Sequence, residues 1–367
     1  MKKLFKILSV AMLALSVSAF VNSCNRETQP AESGNVTFVI SPEGVNAPTK
    51  ATTTVITGSK EDKVTDVVIL AFRGGVLATA PKTATSGSVS MNLPYGDYDI
   101  WAVVNTGSLK SPAEWAAVSS TAAISGIAVP YAAYNDGTDF AQVGHKSVTV
   151  NAATLSESIS TTRLVSRIRF QSITNSLPAG TGTLEIDRIF LCNVAAGSVT
   201  LGGNTSSATS SWANPLGRPA SKVGTKTAII DGGTYIADNA ALTYQAGANI
   251  TPSAEIASGS TIGSTSSPVA LFYPYPNSYT DFSSQEWKDL TSMVAQATCI
   301  CVTGTVAGHS YYWTFDLPAL EVNKSYDVNL TITKLGTDVP GEMKEGVVTV
   351  SVTPAAWGAG SDVTEFL

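Results

Sequence analysis

Tyr326-Asp327-Val328-Asn329-Leu330-Thr331-Ile332 alternates apolar and polar residues without a break. Successive side chains of a strand point to opposite faces, so this run offers Tyr326, Val328, Leu330 and Ile332 to a core. Just upstream, Tyr311, Trp313, Phe315 and Leu317 alternate with Tyr312, Thr314 and Asp316 in the same period. Working outward, Val67 to Phe72 and Ile100 to Val104 are more continuously apolar, as central strands are, and Leu164 to Phe170 carries arginines at Arg167 and Arg169. Val89 to Leu93, Val148 to Val150, Leu184 to Leu191, Val269 to Tyr273, Cys299 to Val306 and Val347 to Val352 are further strand candidates. Many short strands between clusters of Gly, Pro, Asn and Asp predict an all-β sandwich architecture. Only Pro112 to Ala123 and Ser284 to Ala295 read as helices.

Composition agrees. Charged residues make up only 14% of the 367-residue chain, and Thr, Ser, Ala, Val and Gly dominate. Such a mixture suits pleated surfaces rather than exposed helices. The length suits two cores rather than one. An internal echo supports two copies of one sandwich: Leu93-Pro94 leads to Tyr98-Asp99-Ile100, and Leu317-Pro318 leads to Tyr326-Asp327-Val328. The polar stretch Asn151 to Thr162 is the expected boundary between them, and the Gly/Ser/Thr runs Gly197 to Ser211 and Ala246 to Ser267 read as long loops.

The start of the chain addresses it for export. Lys2, Lys3 and Lys6 precede the apolar stretch Leu4 to Phe20, which is too short and wrongly flanked for a stable span. Val21-Asn22-Ser23-Cys24 then reads as a lipobox, with Cys24 as the lipidated residue. A plain signal peptide is the alternative. A lipid on Cys24 would tie the chain to a membrane leaflet, each buried CH₂ contributing about 0.8 kcal/mol. Loss of the three leader lysines takes the net charge from −6 to −9. With no basic stripe to neutralise phosphates, nucleic acid is not an expected partner.

Enzymatic motifs are missing. His145 and His309 each sit beside a glycine in an expected surface turn, and no H-E-x-x-H or G-x-S-x-G occurs. Gly224 to Thr227 lacks the upstream glycines of a P-loop, and Asn135 to Asp139 reads as a turn rather than a calcium loop. Cys192, Cys299 and Cys301 are read as small buried hydrophobes, with a disulfide to Cys192 or a soft-metal pair as alternatives. The expectation is a non-enzymatic protein without cofactor or metal.

Two terminal segments carry the functional reading. Asn35 to Ser41 is a short strand with Val36, Phe38 and Ile40 directed inward, followed by a Pro/Gly segment ending in Thr49-Lys50-Ala51. A basic residue in such a segment is a protease target. At the other end Val348, Val350 and Val352 share one face, Pro354 is expected to stop the ladder, and Trp357 follows. Both segments could be ordinary edge strands. Alternatively, the last segment of one molecule replaces the first segment of another. Burial of three such side chains contributes roughly 5 to 8 kcal/mol gross, so the two are energetically similar. The tethered strand holds the groove by its effective concentration until a cut at Lys50 removes that advantage.

A lipobox, one strand and a Thr-basic-Ala site resemble the fimbrillins of Bacteroidales, the subunits of type V pili. The resemblance extends through Leu93-Pro94-Tyr95-Gly96-Asp97-Tyr98, Arg163-Leu164-Val165-Ser166-Arg167-Ile168-Arg169, Phe272-Tyr273-Pro274-Tyr275-Pro276-Asn277 and Leu320-Glu321-Val322-Asn323-Lys324-Ser325-Tyr326. It implies two transthyretin-like Greek-key β-sandwich domains with a C-terminal donor-strand extension. The implied organisation is a lipoprotein signal peptide (1–23), a propeptide carrying the first strand (24–50), sandwiches at 51–160 and 161–342, and a donor segment (343–367). It also implies a fimbrial stalk or adaptor subunit at the outer membrane and cell surface, trimmed at Lys50–Ala51 and polymerised with copies of itself or other fimbrial subunits. Lysine stands where the best-known members carry arginine, so a Lys-specific or trypsin-like surface protease is implied. The competing reading is a surface glycan-binding lipoprotein using Trp212, Tyr273 and Tyr275 as aromatic platforms.

Overall fold

The computed structural model describes residues 32–43, 61, 63–106, 109–130, 139–195, 197–205, 248–265, 267–280, 296–338, 343–344 and 346–357, with short strands at 212–213, 216–219, 228–231, 234–235 and 286–287. The described residues are mostly β, arranged as two sandwiches.

The N-terminal sandwich uses six main strands: β1 (Ser33–Pro42), β2 (Val67–Arg73), β3 (Ser88–Pro94), β4 (Gly96–Val104), β5 (Gln142–Val150) and β6 (Thr154–Arg163). One layer runs β2–β4–β5 and the other β6–β1–β3. They join where β5 meets β6 through only two register pairs, Gln142 with Arg163 and Val143 with Thr162. Alternation sets the core: Val36, Phe38 and Ile40 from β1 meet Val67, Ile69, Val89, Met91, Leu93, Tyr98, Ile100 and Val148. The expected boundary at Asn151 to Thr162 therefore lies within the first sandwich. Most of it is β6, in which Thr154, Ser156, Ser158 and Ser160 are exposed while Ile159 points inward.

Pro112 to Ala123 forms two short helices instead of one, α1 (Pro112–Ala116) and α2 (Thr121–Ser125). The break comes from Ser120, whose hydroxyl accepts from the Ala123 N–H and caps a new helix. Trp115 and Ile124 cover the outer face of the first layer, over Val68, Leu70, Phe72 and Val103, and one hydrophobic core continues from there into the second sandwich.

That second sandwich packs β7 (Arg167–Asn175), β12 (Lys324–Ile332) and β13 (Val348–Ala356) against β8 (Leu184–Cys192), β9 (Ala248–Ile256), β10 (Cys299–Val306) and β11 (His309–Asp316). β7 and β12 are parallel, and β13 closes the edge antiparallel to β12. Tyr326, Val328, Leu330 and Ile332 all point into the core as their spacing requires.

Several local expectations change. β13 continues through Pro354, which pairs with Tyr326; an edge strand tolerates proline because the missing N–H need not serve a second neighbour. Part of each expected loop is strand: Ser198–Thr200 pairs with Ala128–Pro130, while Ala248–Ile256 and Thr261–Gly263 pair with β8 and β7. Thr and Ser suit half-exposed strands as well as loops. Glu286–Trp287 is strand rather than helix, and the remainder of Ser284 to Ala295 lies outside the described residues. His145 lies in β5 opposite Trp101, with ring centroids 4.9 Å apart, not in a turn. The echoed tyrosines act alike: Tyr98 Oη donates to the Pro94 carbonyl and Tyr326 Oη to the Ala319 carbonyl, each at 2.8 Å.

Candidate functional site

β1 does not lie at an edge. It is the middle strand of its layer, antiparallel to β3 and parallel to β6. Phe38 stands opposite Val89 on one side and Glu157 on the other. Val36 and Phe38 are wholly buried and Ile40 nearly so. Such a strand fills a slot whose two walls both present main-chain N–H and C=O groups, the geometry in which main-chain pairing supplies affinity and alternate side-chain pockets supply fit. The approach is close at its start, since a Cβ on Gly34 would stand 2.1 Å from the Ala152 carbonyl oxygen.

β13 is placed differently. Among the described residues it pairs on one side only, through nine register pairs with β12. Val352 is buried, but Val348 and Val350 are only half-buried. Trp357, immediately after the strand, is fully buried. The last strand is thus docked on its own domain, with its alternating valines less enclosed than the side chains of β1.

The two terminal segments converge on one buried polar cluster. Arg167 Nη1 pairs with Glu61 Oε2 at 2.8 Å, both side chains entirely buried. Tyr273 Oη donates to Glu61 Oε1 at 2.9 Å, and Trp357 Nε1 donates to Glu61 Oε2 at 3.2 Å. The Trp357 ring stacks on Tyr273, and the Arg163 and Arg167 guanidinium groups lie 4.7 and 4.9 Å from its centroid. Arg163 also reaches the start of the chain: Nε donates to the Glu61 carbonyl at 2.7 Å and Nη1 to the Glu43 carbonyl at 3.1 Å. Burial, followed by the neighbouring Glu61 charge, pushes the Tyr273 phenol well above its ordinary value, so it serves as a neutral donor.

Sequence reading missed Glu61, Arg163 and Asn323 as members of this cluster. The available signal was the row of arginines in the apolar stretch Leu164 to Phe170; charges at strand spacing among aliphatic residues need a buried partner. Tyr273 and Tyr275 are core residues, which removes them as glycan platforms; the Trp212 side chain lies outside the described residues. Cys24, Lys50, Ala51, Gly224 to Thr227 and all of Asn135 to Asp139 except Asp139 also lie outside them. The side chains of Cys192, Cys299 and Cys301 are buried with Phe190 and Tyr312, Cys192 standing opposite Cys299.

No family model matches the chain, and no curated protein is similar enough to match. Solved structures match over nearly the whole length. A candidate cell adhesion protein of Bacteroides eggerthii is 20% identical with a TM-score of 0.54, covering 89% of this chain and 97% of its own. A second, from Parabacteroides distasonis, is 13% identical with a TM-score of 0.57, covering 91% and 100%. A fimbrilin of Porphyromonas gingivalis is 14% identical with a TM-score of 0.54, covering 89% and 99%. At these identities the likeness is one of fold. The protein has the two-sandwich fimbrillin-like fold found among Bacteroidales.

Proposed function

We propose that this protein is a structural stalk or adaptor subunit of a type V fimbria, supporting adhesion at the cell surface. In this reading it is exported as a lipoprotein anchored through Cys24 to the outer membrane, trimmed between Lys50 and Ala51, and polymerised by strand exchange. The observation that carries the reading is the contrast between the two terminal strands. β1 occupies a slot with a pairing partner on each side and its apolar side chains enclosed. Among the described residues β13 has one partner, and two of its valines are half-buried. Transfer of a neighbour's β13 into the vacated slot would satisfy both of its edges and enclose Val348 and Val350. Each exposed strand edge otherwise remains a template for another chain.

Tethering explains why the precursor would stay monomeric. While β1 is covalently joined to its slot, its effective concentration excludes a diffusing competitor. Trimming removes that protection. The partners are then copies of this chain or other fimbrial subunits, together with a Lys-specific or trypsin-like protease.

The test is limited trypsin treatment of the full chain beside a variant lacking Val347 to Leu367 and a Lys50→Gln variant. The expected result is an early cut after Lys50, followed by laddered oligomers that resist mild denaturant, in the unaltered chain only. Normal ladders from the tail-deleted chain would remove the donor role of that segment. A trimmed protein that stays monomeric at high concentration would remove the assembly reading altogether.

A further inference from the structure

Asn323 connects the two terminal strands directly. Its backbone is left-handed, with φ 55°, a conformation asparagine adopts more readily than most residues. Its Nδ2 donates to Glu43 Oε2 at 2.6 Å, and its Oδ1 accepts from Arg163 Nη1 at 3.1 Å. Its carbonyl accepts the Trp357 main-chain N–H at 3.1 Å. Glu43 immediately follows β1 and Trp357 immediately follows β13. One asparagine therefore holds the ends of both strands.

Arg163 adds the second connection. The same guanidinium donates to the Glu43 carbonyl and to the Glu61 carbonyl, so it grips both ends of the stretch that contains Lys50. It also stacks over Trp357, whose indole N–H is bonded to the Glu61 carboxylate. A cut at Lys50 leaves Glu61 on the part of the chain that keeps β13 and Glu43 on the part that keeps β1. If β1 departs, Asn323 Nδ2 loses the Glu43 carboxylate and Arg163 Nη1 loses the Glu43 carbonyl. Both groups then lose an acceptor beside the seat of Trp357, Arg163 under its ring and Asn323 through the carbonyl that holds its main-chain N–H. Buried polar groups that lose partners in this way cost more than the net worth of the bond.

We infer that Asn323, Arg163 and Glu61 form a latch that makes the docking of β13 on its own domain depend on the presence of β1. Loss of the first strand loosens the seat of Trp357, and the last strand is released as the slot opens. The subunit thereby keeps its donor sequestered until its acceptor is available. The consequence for assembly rests on the strand-exchange reading, whereas the coupling between the strands is a property of the single chain. Coupling of this kind is reciprocal: Trp357 in place must also hold β1 more firmly.

Hydrogen exchange of the full, uncut chain followed by mass spectrometry tests it, with Glu43→Ala, Asn323→Ala and Trp357→Phe variants. Glu43→Ala is the informative change, because this exposed side chain is bonded to Asn323 and lies on the β1 side of the latch. The expected result is about tenfold faster exchange at residues 348–357 with β10 unchanged, the size of effect lost with a charge-assisted bond. Trp357→Phe, which keeps a ring but removes the N–H to Glu61, should in turn speed exchange in Ser33–Pro42. If Glu43→Ala and Asn323→Ala leave 348–357 as protected as in the unaltered chain, the latch does not exist. Coupling observed together with failure to polymerise after trimming supports the latch and overturns the fimbrial reading. Polymerisation with no coupling does the reverse.

Discussion

Trp357 donates its indole N–H to the carboxylate of Glu61 at 3.2 Å, across 296 positions of sequence. The bond closes a cluster in which Arg167, Tyr273 and Arg163 also converge on Glu61, at the junction of the two sandwiches. A buried carboxylate is tolerable only because a guanidinium, a phenol and an indole together replace its water.

Glu61→Ala should therefore destabilise the chain by about 3–5 kcal/mol, since it leaves the buried Arg167 uncompensated. Urea denaturation measures this. The double variant Glu61→Leu, Arg167→Met should recover much of the loss, because a well-packed apolar pair avoids desolvation of both charges. Equal loss in the single and double variants would show that the charges matter in some other way.

Phe38→Ala opens a cavity in the middle of the first core and should cost the uncut chain about 3–5 kcal/mol. Gly34→Ala should weaken the same strand by a different route, since its Cβ would collide with the Ala152 carbonyl. In the trimmed protein both variants should speed loss of β1, read as faster ladder formation. Unchanged uncut stability in both would contradict the enclosed position of β1.

Stability should decline as pH rises past about 10. Burial pushes the Tyr326 phenol up to about 12 and raises Tyr273 further. In the unfolded chain tyrosines lose their protons near the ordinary value of about 10, so above that pH the folded state binds more protons. The folded state consequently loses stability with a slope of up to about 1.4 kcal/mol per pH unit for each tyrosine. Tyr326→Phe should lower stability at neutral pH, through loss of its bonds to Ala319 and Glu321, yet flatten the alkaline slope. Thermal melts between pH 8 and 11 would show it, and an unchanged slope would count against this assignment.

Burial raises the pKa of the Cys192 and Cys299 thiols, which keeps them protonated and out of reach. A water-soluble thiol reagent at pH 8 should label neither residue in the folded chain and both after denaturation. Prompt labelling of the native protein would mean that this part of the sandwich opens readily.

Alternation made most strands legible. Tyr326 to Ile332 and Val36 to Ile40 show the face they bury in their own spacing, because a strand's side chains have a period of two wherever it sits. Polar strands were harder. β6 reads as a domain boundary because Thr and Ser serve a half-exposed strand and a loop equally well, and only its pairing with β1 distinguishes the two.

All-β class, paired Leu-Pro-to-tyrosine turns and the inward faces of both terminal strands were therefore all present in local residue order, because each depends on neighbours only a few positions away. That β1 is a middle strand, that β13 is less enclosed, and that Glu43, Glu61, Arg163, Asn323 and Trp357 meet in one cluster were decided by the fold. Pairing partners and buried ion clusters depend on contacts across 100 to 300 positions, as between Asn323 and Glu43 at a separation of 280. No local pattern records which distant residue will stand opposite.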